Sequence, residues 1–154
     1  MKKIQILGIL ILVLASNSFK PADEIKWLGF NEGYNLALKK KKMMLIDVYT
    51  DWCGWCKRMD RDTYAKSEIT ELVNKDFIAI KFNPEAAGEY TYIGKKYNGG
   101  ELAEMIGESK ISGYPATIFS NPKTNKRKII IGYRNAEMMK GELSSALTEL
   151  DTKK

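Results

Sequence analysis

Residues 49–60 read YTDWCGWCKRMD and hold both cysteines of this 154-residue chain, Cys53 and Cys56. They follow directly on residues 43–49, MMLIDVY, an apolar run broken only by Asp47. Such a run is the pattern of a central strand buried on both faces. The fold therefore has to deliver two thiols, three residues apart, at the end of a buried strand.

What those thiols do is narrowed first by composition. A structural zinc site takes four ligands, mostly cysteine and histidine, and the chain has two cysteines and no histidine. Zinc would need two carboxylates or a second chain, so no metal is expected. Haem attachment through C-x-x-C-H fails because Lys57 stands in the histidine's place. A purely structural disulfide between residues three apart closes so small a loop that it removes little entropy from the unfolded chain.

Thiol redox chemistry fits better. A helix beginning near Cys53 leaves that thiol beside unpaired backbone N–H groups and the positive end of the helix dipole, which favour a thiolate. Cys56, one turn further in, is covered and placed to attack a mixed disulfide on Cys53. Nucleophile first and resolving thiol second follows from the spacing.

Outward from this centre, residues 53–66 read as a helix that restarts over 67–75. Residues 77–82, FIAIKF, form a second buried strand containing one lysine, Lys81. On the N-terminal side, residues 31–42, NEGYNLALKKKK, read as a helix capped by Asn31, with Tyr34, Leu36 and Leu38 on its packed side. Residues 84–97 are expected to be helical, with Gly99-Gly100 as a break and a short helical stretch over 101–108. Residues 116–120 and 128–133 are short strands joined by the turn NPKTNK, close enough to form a hairpin. Asn135 caps a last helix running to about Leu150, with Met138, Met139, Leu143, Ala146, Leu147 and Leu150 on its apolar face. A parallel βαβ unit followed by an antiparallel hairpin implies an α/β fold, a mixed central sheet flanked by helices.

The length suits one domain, and 44% hydrophobic with 29% charged residues suits a packed globular core. The N-terminus reads differently. Lys2 and Lys3 precede an apolar run over residues 6–15, too short for a span of about 20 residues but suited to a secretory signal peptide. Residues 1–22 are assigned to that signal, with cleavage between 16 and 22, and residues 23–154 to the domain. An uncleaved anchor is the alternative. Removing residues 1–22 takes away three lysines and no acid, so the net charge falls from +6 to +3, with 22 basic against 19 acidic residues. A mildly basic exported protein needs no nucleic acid to explain it.

The sequence resembles the thioredoxin superfamily over roughly residues 25–150. WCGWCK, residues 52–57, is similar to that family's active-site motif. Asp47 stands six residues before Cys53, where the family often carries a buried acid. KFN, residues 81–83, ends the next strand, where thioredoxins place a lysine facing that acid. GYPAT, residues 113–117, resembles the cis-proline segment that packs against the cysteines. Within the superfamily the chain looks most like exported bacterial thioredoxin-like proteins and the soluble C-terminal domain of the transmembrane thiol:disulfide interchange protein. The pair between the cysteines is Gly54-Trp55 where thioredoxins carry Gly-Pro, and the segment between Tyr97 and Ser112 is longer than in a minimal thioredoxin.

The resemblance implies roles for these residues. Asp47, among Leu45, Ile46 and Val48, is buried, has a raised pKa and exchanges protons with Cys56. Lys81 either faces Asp47 or points to solvent. A cis Tyr114–Pro115 bond would offer the backbone of Tyr114 to a bound peptide. Trp52 is partly core, whereas Gly54 and Trp55 between the cysteines present a substrate-facing surface. The function implied is an exported, periplasmic or secreted thiol–disulfide oxidoreductase acting on protein or peptide disulfides, without a bound cofactor. A membrane or exported redox partner recycles the dithiol, and the protein is expected to be monomeric. A non-catalytic chaperone or binding module of the same fold, and a disulfide oxidase or isomerase using the same cysteines, are the alternatives.

Overall fold

The computed structural model describes residues 24–150; the expected signal segment and its cleavage site lie outside them. Helix α1 spans Phe30–Lys40, strand β1 Met43–Val48 and helix α2 Gly54–Met59. A π-helical turn, Asp60–Tyr64, continues α2, and α3 follows over Ser67–Asp76. Then come β2 (Phe77–Phe82), β3 (Tyr90–Tyr92), β4 (Lys95–Tyr97), α4 (Gly99–Gly107), β5 (Ala116–Ser120), β6 (Arg127–Ile131) and α5 (Ala136–Leu150). Among the described residues no helix is long and apolar enough to cross a membrane.

Four strands form one mixed sheet in the order β2-β1-β5-β6, with β1 parallel to β2 and antiparallel to β5. This is a thioredoxin-like α/β fold. The sheet is covered on both faces. Met44, Ile46 and Val48 pack with Phe30, Tyr34, Leu102 and Ile106 from α1 and α4. Met43 and Leu45 pack with Ile69, Val73, Met139 and Leu143 from α3 and α5. Two-sided burial explains why β1 reads as a continuous apolar run with no alternation.

Several expectations are corrected. Residues 84–97 are not helical: β3 and β4 form a separate antiparallel hairpin. Its two-residue loop, Ile93-Gly94, has positive φ at both positions, 49° and 72°, as the mirror-image hairpin turn requires. Tyr90 and Tyr92, spaced by the strand period, put their rings against Phe30 at centroid distances of 6.1 and 6.0 Å, so aromatic packing outweighs helix propensity. Gly99-Gly100 is not a break but the first turn of α4. Asn98 caps it, its side chain accepting from Glu101 N while Glu101 Oε2 accepts from Asn98 N, both at 2.9 Å, a capping box.

Asn31 does not cap α1, whose N-cap is Gly29; its side chain instead ties the helix to Glu89, just before the hairpin, and to Thr91 within it. Leu38 and Met138 are exposed, and Gly33 and Ala37 take the packed side of α1. Gly33 is needed there because a Cβ would stand 2.4 Å from Ile80 Cγ1. Asn135 does serve α5, accepting from Met138 N at 2.9 Å.

Candidate functional site

Strand β1 ends at Val48, and the chain turns through Thr50 and Asp51 into α2. Cys53 N donates to Thr50 O at 3.1 Å, closing that turn. Cys53 is the N-cap residue of α2: its Sγ accepts from Cys56 N at 3.0 Å. A sulfur thus occupies the position where a helix start usually receives a side-chain oxygen. The two cysteines are joined in a disulfide with their Cα atoms 5.3 Å apart. Exposure does not distinguish them, at 4% for Cys53 and 3% for Cys56. What separates them is the helix terminus, where an N–H group points at Cys53.

The sheet holds a charge cluster in which Asp47 is buried, Lys81 partly buried and Asp60 exposed. The parallel register sets Asp47 opposite Lys81, and the two-residue strand period sends both side chains to the face that also carries Leu45 and Ala79. Lys81 Nζ donates to Asp47 Oδ2 at 2.6 Å and to Asp60 Oδ1 at 2.5 Å. Asp60 stands four residues after Cys56, so Lys81 links the strand acid to the helical run that carries the cysteines. The rings of Trp27, Tyr49 and Tyr64 surround the ammonium at 4.9, 5.1 and 5.7 Å, a geometry favourable to a cation.

Asp47 is 1% exposed, and among the described residues its Oδ1 has no hydrogen-bond partner. Burial pushes its pKa up to about 6, against the charge and hydrogen bond of Lys81, with Asp60 adding to the rise. Burial works against the Lys81 ammonium, but Asp47 and Asp60 outweigh it and hold its pKa above the ordinary lysine value. Burial, with the Asp47 charge in the same direction, pushes the Tyr64 hydroxyl well above its usual range. A hollow of about 480 Å³, bordered by Trp27, Asp60, Tyr64 and Lys81, opens beside this cluster. A buried carboxyl poised near neutrality, salt-linked to a lysine that itself borders the hollow, is chemically able to take up and release a proton.

The outer rim is aromatic. Trp52 is 67% exposed and Trp55 54%, so Trp52 is not part of the core as expected. Its indole Nε1 donates to both Glu85 carboxylate oxygens, at 3.0 and 3.2 Å, and its ring meets Tyr114 edge-on at 5.9 Å. Gly54 is exposed beside Trp55. Trp55 leans on Tyr133 at 5.6 Å, and the Arg58 guanidinium lies over both rings at 5.1 and 5.5 Å. Tyr114 and Pro115 are joined by a cis bond and border a hollow of about 320 Å³ with Trp55 and Tyr133.

The structure therefore brings Cys53, Cys56, Trp52, Trp55, Tyr114 and Pro115 together and pairs Asp47 with Lys81 across β1 and β2. Asp60, Glu85 and Trp27 are among the residues that escaped the sequence reading. Asp60 had a readable signal, an acid one turn beyond Cys56 on the same helix. Glu85 and Trp27 had none, since their contacts join distant segments. Among the described residues no group of acids, cysteines and histidines is arranged to hold a metal ion.

A family model, Thioredox_DsbH, described as "Protein of unknown function, DUF255", matches residues 14–150. Among curated proteins, the human "Spermatogenesis-associated protein 20" is 25% identical over 109 residues, 71% of this chain and 13% of that protein. The "Thiol:disulfide interchange protein DsbD" of Ralstonia nicotianae is 24% identical over 118 residues, 76% of this chain and 17% of that protein. The chain thus spans less than a fifth of the length of these relatives. A solved thioredoxin from Thermus thermophilus superposes with a TM-score of 0.66 at 18% identity, covering 82% of this chain and 90% of that one.

Proposed function

The chain belongs to the Thioredox_DsbH family, and on that premise we propose that it is an exported thiol–disulfide oxidoreductase that reduces protein disulfides through its Cys-x-x-Cys pair. The observation that carries this reading is Cys53 at the N-cap of α2, its sulfur accepting the Cys56 N–H and bonded to Cys56. The same two sulfurs, reduced, are a nucleophile and its resolving thiol.

In the proposed cycle the Cys53 thiolate attacks one sulfur of a substrate disulfide. A Cys53–substrate S–S bond forms, the substrate bond breaks, and the departing thiolate takes a proton. Cys56 then loses its proton to Asp47 and attacks Cys53 Sγ. The Cys53–Cys56 bond closes, and the second substrate sulfur leaves as a thiolate that takes the proton held by Asp47. Two electrons have passed from the dithiol to the substrate, with the proton of Cys53 lost to water on ionisation and one regained from water by the first departing sulfur. Lys81 positions Asp47, and Asp60 positions Lys81. Gly54, Trp55, Tyr114 and Pro115, with Trp52, receive the substrate chain. A dithiol protein, membrane-bound or exported, returns the electrons, and no bound cofactor is required. Residues 1–22 act as the export signal, cleaved between 16 and 22, and the mature domain works as a monomer.

The test is insulin reduction by the full chain with dithiothreitol. Precipitation of the insulin B chain should be accelerated, and Cys53→Ser should abolish the acceleration. A rate no faster than dithiothreitol alone assigns the fold to a non-catalytic role.

A further inference from the structure

Tyr114 also lines a third hollow, of about 430 Å³, between the loop after β2 and helix α4. Its walls include Pro84, Glu85, Ala103, Glu104, Ile111 and Tyr114. Its construction is tight. At Gly99 a Cβ would stand 2.2 Å from the Pro84 carbonyl oxygen, so the β2 loop and the start of α4 are in backbone contact. At Gly107 a Cβ would stand 2.6 Å from Ile111 Cδ1, which fixes the far end.

The charge in this hollow is one-sided. Glu85 and Glu104 are its only charged lining residues. Among the described residues neither is in an ion pair, whereas Arg58 across the aromatic rim is matched by Asp62, and Glu108 by Lys110 and Arg127. Glu85 is also held in place: its carboxylate accepts both Trp52 indole bonds, and its backbone N donates to Asn83 Oδ1 at 2.9 Å. It is close enough to Tyr114 to add to the burial that raises the Tyr114 pKa. A fixed, uncompensated carboxylate thus stands between Trp52, the residue before Cys53, and the Tyr114–Pro115 segment. Its apolar neighbours Ala103, Ile111 and Tyr114 suit the methylene stem of a long side chain whose charge reaches the acids.

We propose that this hollow is a specificity subsite that takes a lysine or arginine side chain of the disulfide-bearing protein, close in sequence to the cysteine being attacked. The inference rests on the oxidoreductase reading and adds to it a preference for basic flanks. Charge complementarity of this kind steers association and rejects like-charged partners. An acidic flank brings two like charges together and is disfavoured.

The experiment uses the reduced full chain and a set of cyclic peptide disulfides carrying Lys, Gln or Glu at each position flanking either cysteine. Single-turnover oxidation is followed by tryptophan fluorescence. At the best position and about 10 mM salt, with a Debye length near 30 Å, the Lys peptide should react about tenfold faster than the Glu peptide. The ratio should fall below about three in about 1 M salt, where screening acts within about 3 Å. It should fall likewise in Glu85→Gln/Glu104→Gln, which keeps an acceptor for the Trp52 indole. Glu32→Gln/Glu71→Gln removes the same charge from α1 and α3 and should keep the tenfold ratio. A wild-type ratio below about three at every position, a ratio that survives the Glu85/Glu104 change, or one equally lost in the Glu32/Glu71 control overturns the subsite while leaving the reductase reading intact. Failure of even the Gln peptides to oxidise the dithiol overturns both.

Discussion

Asp47→Asn should make the oxidised protein more stable, by an amount that depends on pH. The side chain is buried, its Oδ1 has no partner, and burial has carried its pKa from the ordinary 3.8 to about 6 despite Lys81. At about 1.36 kcal/mol per factor of ten in a proton equilibrium, holding the ionised form in the fold costs about 3 kcal/mol above pH 7. The sign follows from proton counting. Between 3.8 and about 6 the folded protein keeps a proton that the unfolded chain has lost, so wild-type stability falls as pH rises through that window and is level above it. Asparagine imitates the protonated carboxyl and does not titrate. The advantage of the variant should therefore be under about 1 kcal/mol near pH 4 and about 3 kcal/mol near pH 8, roughly 10 °C in Tm. Urea denaturation followed by tryptophan fluorescence, with the Cys53–Cys56 disulfide intact in both proteins, measures it. A gap independent of pH, or a wild type more stable than the variant at pH 8, would refute the burial argument.

Lys81→Met removes the one cation that pulls the Asp47 pKa down, so that pKa should rise above about 6 and the loss of stability with pH should extend further toward alkali. The raised Lys81 pKa means its stabilisation is fully present below the ordinary lysine range and absent from the variant throughout; the cost near pH 8, read by the same denaturation, should be about 3 kcal/mol or more. In the reduced protein at mildly acidic pH, iodoacetamide should modify Cys53 well before Cys56, because the helix terminus favours its thiolate; equal rates by peptide mapping would remove the basis for their order. Equilibration with glutathione buffers should give a potential of roughly −200 to −270 mV, since a buried carboxylate disfavours a nearby thiolate and no histidine is present to offset it. A value near −120 mV would reverse the direction of electron flow. Gly99→Ala forces a Cβ to 2.2 Å from the Pro84 carbonyl and should cost about 2 kcal/mol in thermal unfolding. Gly100→Ala, whose nearest neighbour is at 3.6 Å, should be neutral or gain up to about 1 kcal/mol.

Much of this protein was legible along the chain because the signals are local. The apolar run of β1, the FIAIKF strand, the NPKTNK turn and the Asn135 cap are each set by residues a few positions apart. The capping box at Asn98 and Glu101 was local as well, and was hidden only by reading Gly99-Gly100 as a break. The place of Cys53 at the start of α2 belongs to this class, because the strand-to-helix turn is local and a helix start has free N–H groups. Other features are fixed by pairing across the fold. Strand register decided that Lys81 meets Asp47, where the lysine's own neighbours allowed either direction. The aromatic floor of Phe30 and Tyr34 receives the hairpin of residues 90–97, because the strand period turns Tyr90 and Tyr92 to the same side, against those rings. The net pKa of Asp47 depends on burial, Lys81 and Asp60 together, and these come from three separate segments. Trp52 reads as a core residue by type, yet its place in space is set by Glu85 and Tyr114, 33 and 62 residues further along. Sequence specifies contacts a turn or a strand pair apart; which distant side chains share a site is decided only when the sheet closes and the helices dock on it.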